Sequence, residues 1–360
     1  FETFTHAEEK PYSIGSSSIW SIAKDNNGTI WIGSYYGGVD YFNPDHSIFR
    51  FYGVNNGPGQ NLSSPVVGRI IQDKHNQLWI GTECGGFNRP DRTTGEIVNY
   101  IDFKDSRAIH AKNIKSFHYD SEKDILWIGA VMDGLIRLDL KTQTSTVFKR
   151  RPRDSTSLRN NYILDIEAHD GKLYLATNNS VVVFDTESLK SSFLVDNAVY
   201  GLEDKQVRNL LIDSKQRLWF SANNGVFRYD LKTGKMACYR YDARNPHSVG
   251  PIYHSSFLED AQGRIWIGTA GTGLALYNET TDDFTIYNSQ NSEIIDDYIV
   301  DLNQTESGYL IIATNSGPPF FDSTAELIIN LPHQTTITIS STHHCLHCHT
   351  TPGTTLAPPT

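Results

Sequence analysis

A tryptophan-centred motif that returns every 45 to 48 residues is the feature that most constrains the fold of this 360-residue chain. Trp31-Ile32-Gly33-Ser34 recurs in closely similar form at residues 79, 127, 219 and 266, and weaker copies without the Trp begin at Tyr174 and Ile311. Periods of about 20–50 residues are typical of solenoids, propellers and other arrays. The seven copies therefore indicate a repeat architecture that covers nearly the whole chain.

Each copy contains four short apolar runs. In the first copy they lie at residues 19–23, 29–33, 39–42 and 48–52, separated by breaks rich in Gly, Asn and Asp. The runs have the length of strands and are rich in Val, Ile, Tyr, Phe and Trp. No long segment of period 3.6 is present. We therefore predict an all-β fold, a seven-bladed β-propeller of four-stranded blades with the tryptophans packed between blades.

The two ends of the chain predict how the ring closes. Phe1-Glu2-Thr3-Phe4 resembles a fourth strand that lacks the three strands before it, and the seventh copy has no clear fourth strand after its third, near Phe320-Phe321-Asp322. We expect residues 1–5 to pair with the seventh blade, which removes an exposed sheet edge. The propeller then spans residues 1–322, and the Thr/Ser/Pro/His-rich tail 323–360 is expected to be disordered.

The tail contains a cysteine and histidine cluster, residues 343–349, whose Cys345-Leu346-His347-Cys348-His349 spacing matches c-type haem attachment. Zinc binding is a second reading of the same cluster. Only eleven residues follow it, with no helices to enclose a haem. We therefore expect a segment outside the fold, with no cofactor and no metal. Cys84 and Cys238 lie in separate repeats and are expected to be unpaired.

The net charge of −10 and the isoelectric point near 5.7 argue against nucleic acid or an anionic membrane held on a basic surface. One basic stretch, Lys149-Arg150-Arg151-Pro152-Arg153, opposes this balance and is interpreted as a solvated loop. No apolar run approaches the length of about 18 residues that predicts a membrane-spanning helix. The chain begins at Phe1, without an initiator Met, so we expect a mature or excised fragment.

The repeat resembles the two-component regulator propeller repeat. Its pattern is Ile-x-x-Asp-x-x-Gly-x-Ile/Leu-Trp-Ile-Gly-Thr followed by Gly-Gly, and residues 23–33 and 258–269 are the best copies. The resemblance covers residues 1 to about 322 and implies the periplasmic sensor half of a hybrid two-component regulator. Such sensors, often from gut Bacteroidetes, detect glycan fragments. It also implies that this chain is part of a longer, membrane-anchored protein with a kinase.

The predicted ligand site lies at the mouth of the central channel. In propellers, the fourth-to-first and second-to-third loops emerge on one face there, and their length varies in this chain, as at residues 53–65, 149–161 and 242–251. Aligning the first strands places a polar residue at one position of every copy, and we expect this ring to line the channel: Ser21, Arg69, Ser116, Asp165, Asn209, Ser256 and Asp301. The simpler alternative is that a solvated channel needs polar walls.

Sugar recognition requires aromatic faces together with charged and amide groups that form hydrogen bonds. The candidate ligand-binding residues are Trp20, Tyr35, Tyr36, Arg69, Glu83, Lys115, Asp165, Arg208 and Asn209. We expect an oligosaccharide or other small ligand, further domains of the same longer protein and a second copy in a homodimer as partners. No catalytic signature occurs in the repeats, so we expect no catalytic residues. Two alternatives stay open, a protein-interaction scaffold and a carbohydrate-active propeller enzyme that uses Asp165, Asp301, Glu83 or His254.

Overall fold

A computed structural model describes most of the chain. It covers residues 54, 59–91, 94–100, 109–194, 206–222, 225–250, 256–292, 294, 296–304 and 308–314, and strand backbone alone at 19–24, 30–34, 38–42, 320–322, 327–329, 338–341 and 346–349. The chain forms two compact units. The first comprises Phe1–Phe51, Pro332–Ile337 and Thr351–Thr360, and the second Tyr52–Leu331 and Thr338–Thr350.

The first unit contains one antiparallel sheet, blade 1, whose strands are β1 (Ile19–Lys24), β2 (Ile30–Ser34) and β3 (Gly38–Phe42). These bounds match the first three runs predicted for this copy to within one residue. The fourth predicted run, residues 48–52, lies outside the described residues.

The second unit contains six four-stranded antiparallel sheets, each in chain order from strand to strand. Blade 2 comprises β4 (Val67–Gln72), β5 (Leu78–Thr82), β6 (Gly86–Pro90) and β7 (Ile97–Asn99). Blade 3 comprises β8 (Ile114–Asp120), β9 (Ile125–Ala130), β10 (Gly134–Asp139) and β11 (Thr144–Phe148). Blade 4 comprises β12 (Ile163–His169), β13 (Lys172–Thr177), β14 (Val181–Asp185) and β15 (Ser191–Phe193).

The remaining three sheets repeat this order. Blade 5 comprises β16 (Val207–Ile212), β17 (Arg217–Ala222), β18 (Gly225–Asp230) and β19 (Met236–Tyr239). Blade 6 comprises β20 (Ser256–Glu259), β21 (Ile265–Gly268), β22 (Leu274–Asn278) and β23 (Asp283–Tyr287). Blade 7 comprises β24 (Ile299–Gln304), β25 (Tyr309–Thr314), β26 (Phe320–Asp322) and β27 (Leu327–Ile329). The seven repeats of the sequence thus correspond to seven sheets.

The end of blade 7 differs from the predicted boundary at residue 322. Its fourth strand is β27, a run of Leu and Ile that pairs antiparallel with β26, whereas we had assigned this segment to the tail and the fourth-strand position to residues 1–5. Residues 1–5 themselves lie outside the described residues. A further hairpin, β28 (Thr338–Ser341) with β29 (Leu346–His349), lies in the segment predicted to be disordered.

The tryptophans of the second strands form the core between neighbouring blades, as predicted. Trp79, Trp127, Trp219 and Trp266 are at most 2% exposed. Trp79 shares a cluster with Leu126 and Ile128 of blade 3, and Trp219 shares one with Ile265 and Ile267 of blade 6. The second strands of blades 2 to 6 are buried at nearly every position, so burial against neighbouring blades supplies the hydrophobic stabilisation that a lone four-stranded sheet lacks.

An aspartate six residues before the Trp holds the turn between the first two strands in three blades. In blade 5, Asp213 accepts hydrogen bonds from the Trp219 indole Nε1 at 2.8 Å and from the backbone N of Arg217 at 2.8 Å. Asp73 with Trp79 and Asp260 with Trp266 repeat the indole bond at 3.0 and 2.8 Å. The Asp and Trp of the repeat therefore act together, the carboxylate satisfying turn amides and a buried indole.

Candidate functional site

The first strands of the six blades in the second unit lie side by side, since β4, β8, β12, β16, β20 and β24 each contact the next. They enclose a cavity, called here the inner cavity, whose polar lining is Arg69, Asp165, Glu167, Asn209, Ser256, Asp301 and Asn303. Five members of the predicted polar ring therefore face one space. Ser116 is not part of this lining, and its Oγ lies against Gly129. The Ser21 side chain lies outside the described residues.

Arg69 of blade 2 and Asp165 of blade 4 form an ion pair across the inner cavity. The Arg69 Nη2 lies 3.1 Å from the Asp165 Oδ1, and the Asp165 side chain is 5% exposed. The Asp165 Oδ2 accepts the backbone N–H of Leu210 at 2.9 Å, and its Oδ1 accepts that of Ile166 at 3.0 Å. Attraction to Asp165 raises the pKa of Arg69 above its ordinary value. The pair ties blades 2, 4 and 5 together with every carboxylate oxygen satisfied.

Two further carboxyl groups in the same cavity hold their protons more tightly than usual. Burial raises the pKa of Glu167 well above its ordinary value, and the negative charge of Asp165 adds to this effect. Burial also raises the pKa of Asp301, although Arg69 opposes the shift. One guanidinium thus faces three carboxyl groups, and the cavity favours protonation of two of them.

Replacing Glu167 with Gln is expected to flatten the dependence of stability on pH. With its raised pKa, the folded state binds a proton that the unfolded state releases near the ordinary value of 4.5. The contribution of Glu167 to wild-type stability therefore falls as pH rises from that value through the raised pKa. Thermal unfolding from pH 4 to pH 9 should show E167Q gaining on wild type as pH rises. The exposed Glu122, replaced by Gln, is the control, and equal slopes for E167Q and wild type would contradict the expectation.

Two other candidate residues lie where neighbouring blades meet on one face. Two kinds of loop lie at this end of the sheets: the loop that enters each first strand and the loop that joins the second and third strands. We call the surface formed by these loops the loop face. There Glu83, between β5 and β6, forms an ion pair with Lys115 on β8 of the next blade. The backbone N of Cys84 donates to Asn113 Oδ1 at 2.8 Å beside this pair. The loop face is therefore cross-linked between blades by hydrogen bonds and charge.

In blades 1, 2, 3, 4 and 7 the residue before the ring member occupies a β-bulge, and in blade 5 the irregularity spans two residues. The pairing of first and second strands skips one residue, for example Gly68 between Val67 and Arg69 and Lys115 between Ile114 and Ser116. The same irregularity occurs in blades 1, 4, 5 and 7. Because a bulge re-aims the extra side chain, this position varies among the blades without disturbing the ladder. It includes Trp20, Lys115 and, within the two residues skipped in blade 5, Arg208.

The nine candidate residues do not form one group in the described structure. Arg69, Asp165 and Asn209 line the inner cavity, whereas Glu83 and Lys115 pair on the loop face. Arg208 is partly buried, and its Nε has no hydrogen-bond partner. Tyr35, Tyr36 and the Trp20 side chain lie outside the described residues, as does His254.

Metal and membrane features are absent from the described part of the chain. No cluster of three or more His, Cys, Asp or Glu suited to a metal ion occurs there. Within the same residues, no helix is long and apolar enough to cross a membrane. Cys84 and Cys238 are free, as predicted, and both are exposed.

Sequence reasoning missed two residues of the inner cavity, Glu167 and Asn303. Each lies two residues after a ring member on the same strand, Asp165 and Asp301 respectively. Since side chains alternate between the faces of a strand, the period of two was the signal that would have found them.

A comparison with protein families matches the two-component regulator propeller family at residues 13–36, 61–84 and 248–271. The chain is 27% identical over 313 residues to histidine kinase P4 of Formosa agariphila, covering 71% of this chain and 22% of the kinase. This chain therefore spans about a fifth of the length of that curated relative.

Solved structures show the same fold. The extracellular domain of a putative hybrid two-component system from B. thetaiotaomicron matches with a TM-score of 0.61 and 19% identity, covering 89% of this chain and 39% of that one. PorZ, a surface component of the type-IX secretion system of Porphyromonas gingivalis, gives 0.55 and 15% over 86% of this chain and 47% of its own. The WD40 propeller domain of Doa1 gives 0.54 and 11%, covering 85% and 90%. The fold is a β-propeller, as predicted.

Proposed function

We propose that this chain, which matches the two-component regulator propeller family in three segments, is a ligand-sensing propeller of a hybrid two-component regulator, placed outside the cytoplasm, and that it binds glycan fragments on its loop face. One relative, at 27% identity, is a histidine kinase of which the matched region is about a fifth. A propeller of this kind supplies recognition, and the remainder of the longer protein supplies signalling.

The observation that carries the proposal is the division of polar residues between two layers. Deep in the second unit, Asp165 has all its oxygens bonded, so the Arg69 pair acts as a fixed frame. Above it, the bulge and loop positions vary from blade to blade and carry the cation Lys115 and the carboxylate Glu83. A rigid ion pair in the inner cavity together with variable polar loops is the arrangement expected of a binding face on a rigid scaffold.

A carbohydrate-active enzyme is the second candidate, and one observation favours it. Carboxyls with raised pKa, Glu167 and Asp301, lie in the same cavity as Asp165, and glycosidases use a carboxyl of raised pKa as general acid. Asp165, however, is engaged by Arg69 and two backbone amides, which leaves its oxygens poorly placed to attack a substrate. We therefore rank binding above catalysis.

Calorimetric titration of the chain with a panel of oligosaccharides, followed by chromatography of the products, tests the proposal. We expect saturable binding of at least one saccharide with the sugar recovered intact. Recovery of cleaved sugar would contradict the sensor proposal and would favour the carbohydrate-active enzyme. Absence of binding across the panel, with a protein partner retained in pull-down, would instead favour an interaction scaffold.

A further inference from the structure

The connection between blades 3 and 4, residues 149–162, is built on a hydrogen-bonded frame that recurs between blades 5 and 6. In the first loop, the Ser157 Oγ accepts from the backbone N of Arg151 at 2.9 Å and lies 3.2 Å from the carbonyl of the same residue. In the second, the Ser248 Oγ makes the same two contacts with Asp242 at 3.1 and 2.9 Å. Further backbone bonds repeat in both loops. The frame holds each loop in a defined conformation.

The two loops carry different charges on this shared frame. Counting from the serine, Arg151 corresponds to Asp242, Arg153 to Arg244 and Arg159 to Gly250. In the second loop, Arg244 and Asp242 contact each other at 3.5 Å. A Cβ on Gly250 would fall 1.5 Å from the Thr272 Oγ1, so no side chain fits there. Only the first loop displays a cluster of cations.

That cluster lines a pocket of about 500 Å³ on the loop face. Its lining includes Arg150, Arg151, Arg153, Arg159, Asn160 and Phe193. Among the described residues, Asp154 pairs with Arg151 at 3.1 Å, and no carboxylate pairs with the other three arginines. Four arginines thus line one pocket on a protein of net charge −10.

Arg159 is the arginine whose surroundings most clearly require an acceptor. Its Cζ lies 5.4 Å from the centre of the Phe193 ring, which holds the guanidinium by a cation–π contact. Its Nε is shielded from solvent and has no hydrogen-bond partner. The residue as a whole is only partly buried, and no acceptor among the described residues binds its terminal nitrogens, so these N–H groups are free to bind an anionic ligand. The residue after Arg159 is held in place, since the Asn160 Nδ2 donates to the Asn179 Oδ1 at 3.0 Å.

From this geometry, and resting on the proposed function, we propose that the pocket between blades 3 and 4 binds the sulfate or carboxylate group of an acidic saccharide. Planar guanidinium groups match the paired oxygens of these anions. The pocket has the volume of a small-ligand site, and Phe193, 39% exposed, offers an apolar face beside the cations. Lys149 is held by Asp133 at 2.9 Å and is not part of the site.

Titration at fixed ionic strength with a sulfated oligosaccharide, a uronate oligosaccharide, a neutral oligosaccharide of equal length and inorganic sulfate tests the inference. We expect an acidic saccharide to bind more tightly than the neutral one. R159Q should weaken that binding about tenfold or more, because a charged hydrogen-bond partner is lost. Arg244→Gln, which makes the same charge change on the equivalent frame, should change it less than twofold.

A second variant tests the inference even if R159Q does not fold. Arg150 and Arg153 are exposed, so the double variant R150Q/R153Q should unfold at the wild-type temperature and still lose affinity several-fold. Equal affinity in R159Q and R244Q would overturn the inference while leaving glycan sensing elsewhere intact. If inorganic sulfate bound and no acidic saccharide did, the proposal of an acidic saccharide as the ligand would be contradicted. This outcome would also count against the proposed function.

Discussion

Replacing Asp213 with Ala is expected to destabilise the chain by about 3–5 kcal/mol, the cost of leaving a buried ionic partner uncompensated. Its side chain is fully buried. One oxygen accepts the Trp219 indole at 2.8 Å and the Arg217 Nε at 2.6 Å, and the other accepts two turn amides. The substitution therefore leaves the Trp219 indole, the Arg217 Nε and the turn amides without their acceptor, while Glu279 still pairs with the Arg217 Nη1.

Asp230→Ala is the matched control for this prediction. Asp230 also accepts two turn amides, from Lys232 at 2.9 Å and Thr233 at 2.7 Å, but it holds no Trp or Arg. We expect it to cost about 1 kcal/mol, as for loss of a capping side chain. Denaturant unfolding of both variants measures the difference. Equal losses would show that the indole bond contributes nothing beyond the turn.

Replacing Arg69 with Met is expected to cost about 3 kcal/mol, because it strips the buried Asp165 of its counter-charge. The figure lies at the lower end of the range because the Arg69 side chain is 32% exposed, whereas Asp165 is 5% exposed. The double variant R69M/D165N should recover much of the loss, since it removes both charges and keeps an amide oxygen that can accept a backbone N–H. Denaturant unfolding of the two single variants and the double measures this coupling.

The coupling also tests the connection between the blades. Arg69 lies on β4 and Asp165 on β12, and Asp165 is further bonded to β16. Equal losses of stability in the single and double variants would contradict the inference that the Arg69–Asp165 pair stabilises the contact between blades 2, 4 and 5.

The repeat period predicted the fold because every copy contains an apolar second strand that only a neighbouring blade can bury. In five of the seven copies this strand carries a Trp. Tyr174 and Ile311 replace the Trp, and both blades nevertheless form, because β13 and β25 keep the apolar pattern of the second strand. The end of blade 7 was harder to predict. The short run at Leu327 looked like part of a polar tail, and only its pairing with β26 assigns it to the sheet.

The candidate site was predictable in part for a physical reason. Alignment of first strands identified Arg69 and Asp165 because their position in the strand fixes where the side chain points. It did not identify Arg159, because loop residues have no period and the frame around Ser157 becomes visible only through its hydrogen bonds. The basic stretch is an exposed loop, as interpreted from the sequence, and it also forms one wall of a pocket.

Hydrogen–deuterium exchange of the chain with and without a saturating saccharide from the panel tests the central claim most directly. We predict that protection increases on the loop face, at residues 83–86, 112–115 and 158–161. The opposite turns, such as 141–143 and 232–234, should be unchanged. Protection confined to those opposite turns, or no change with any saccharide, would contradict the account of this propeller as a glycan sensor.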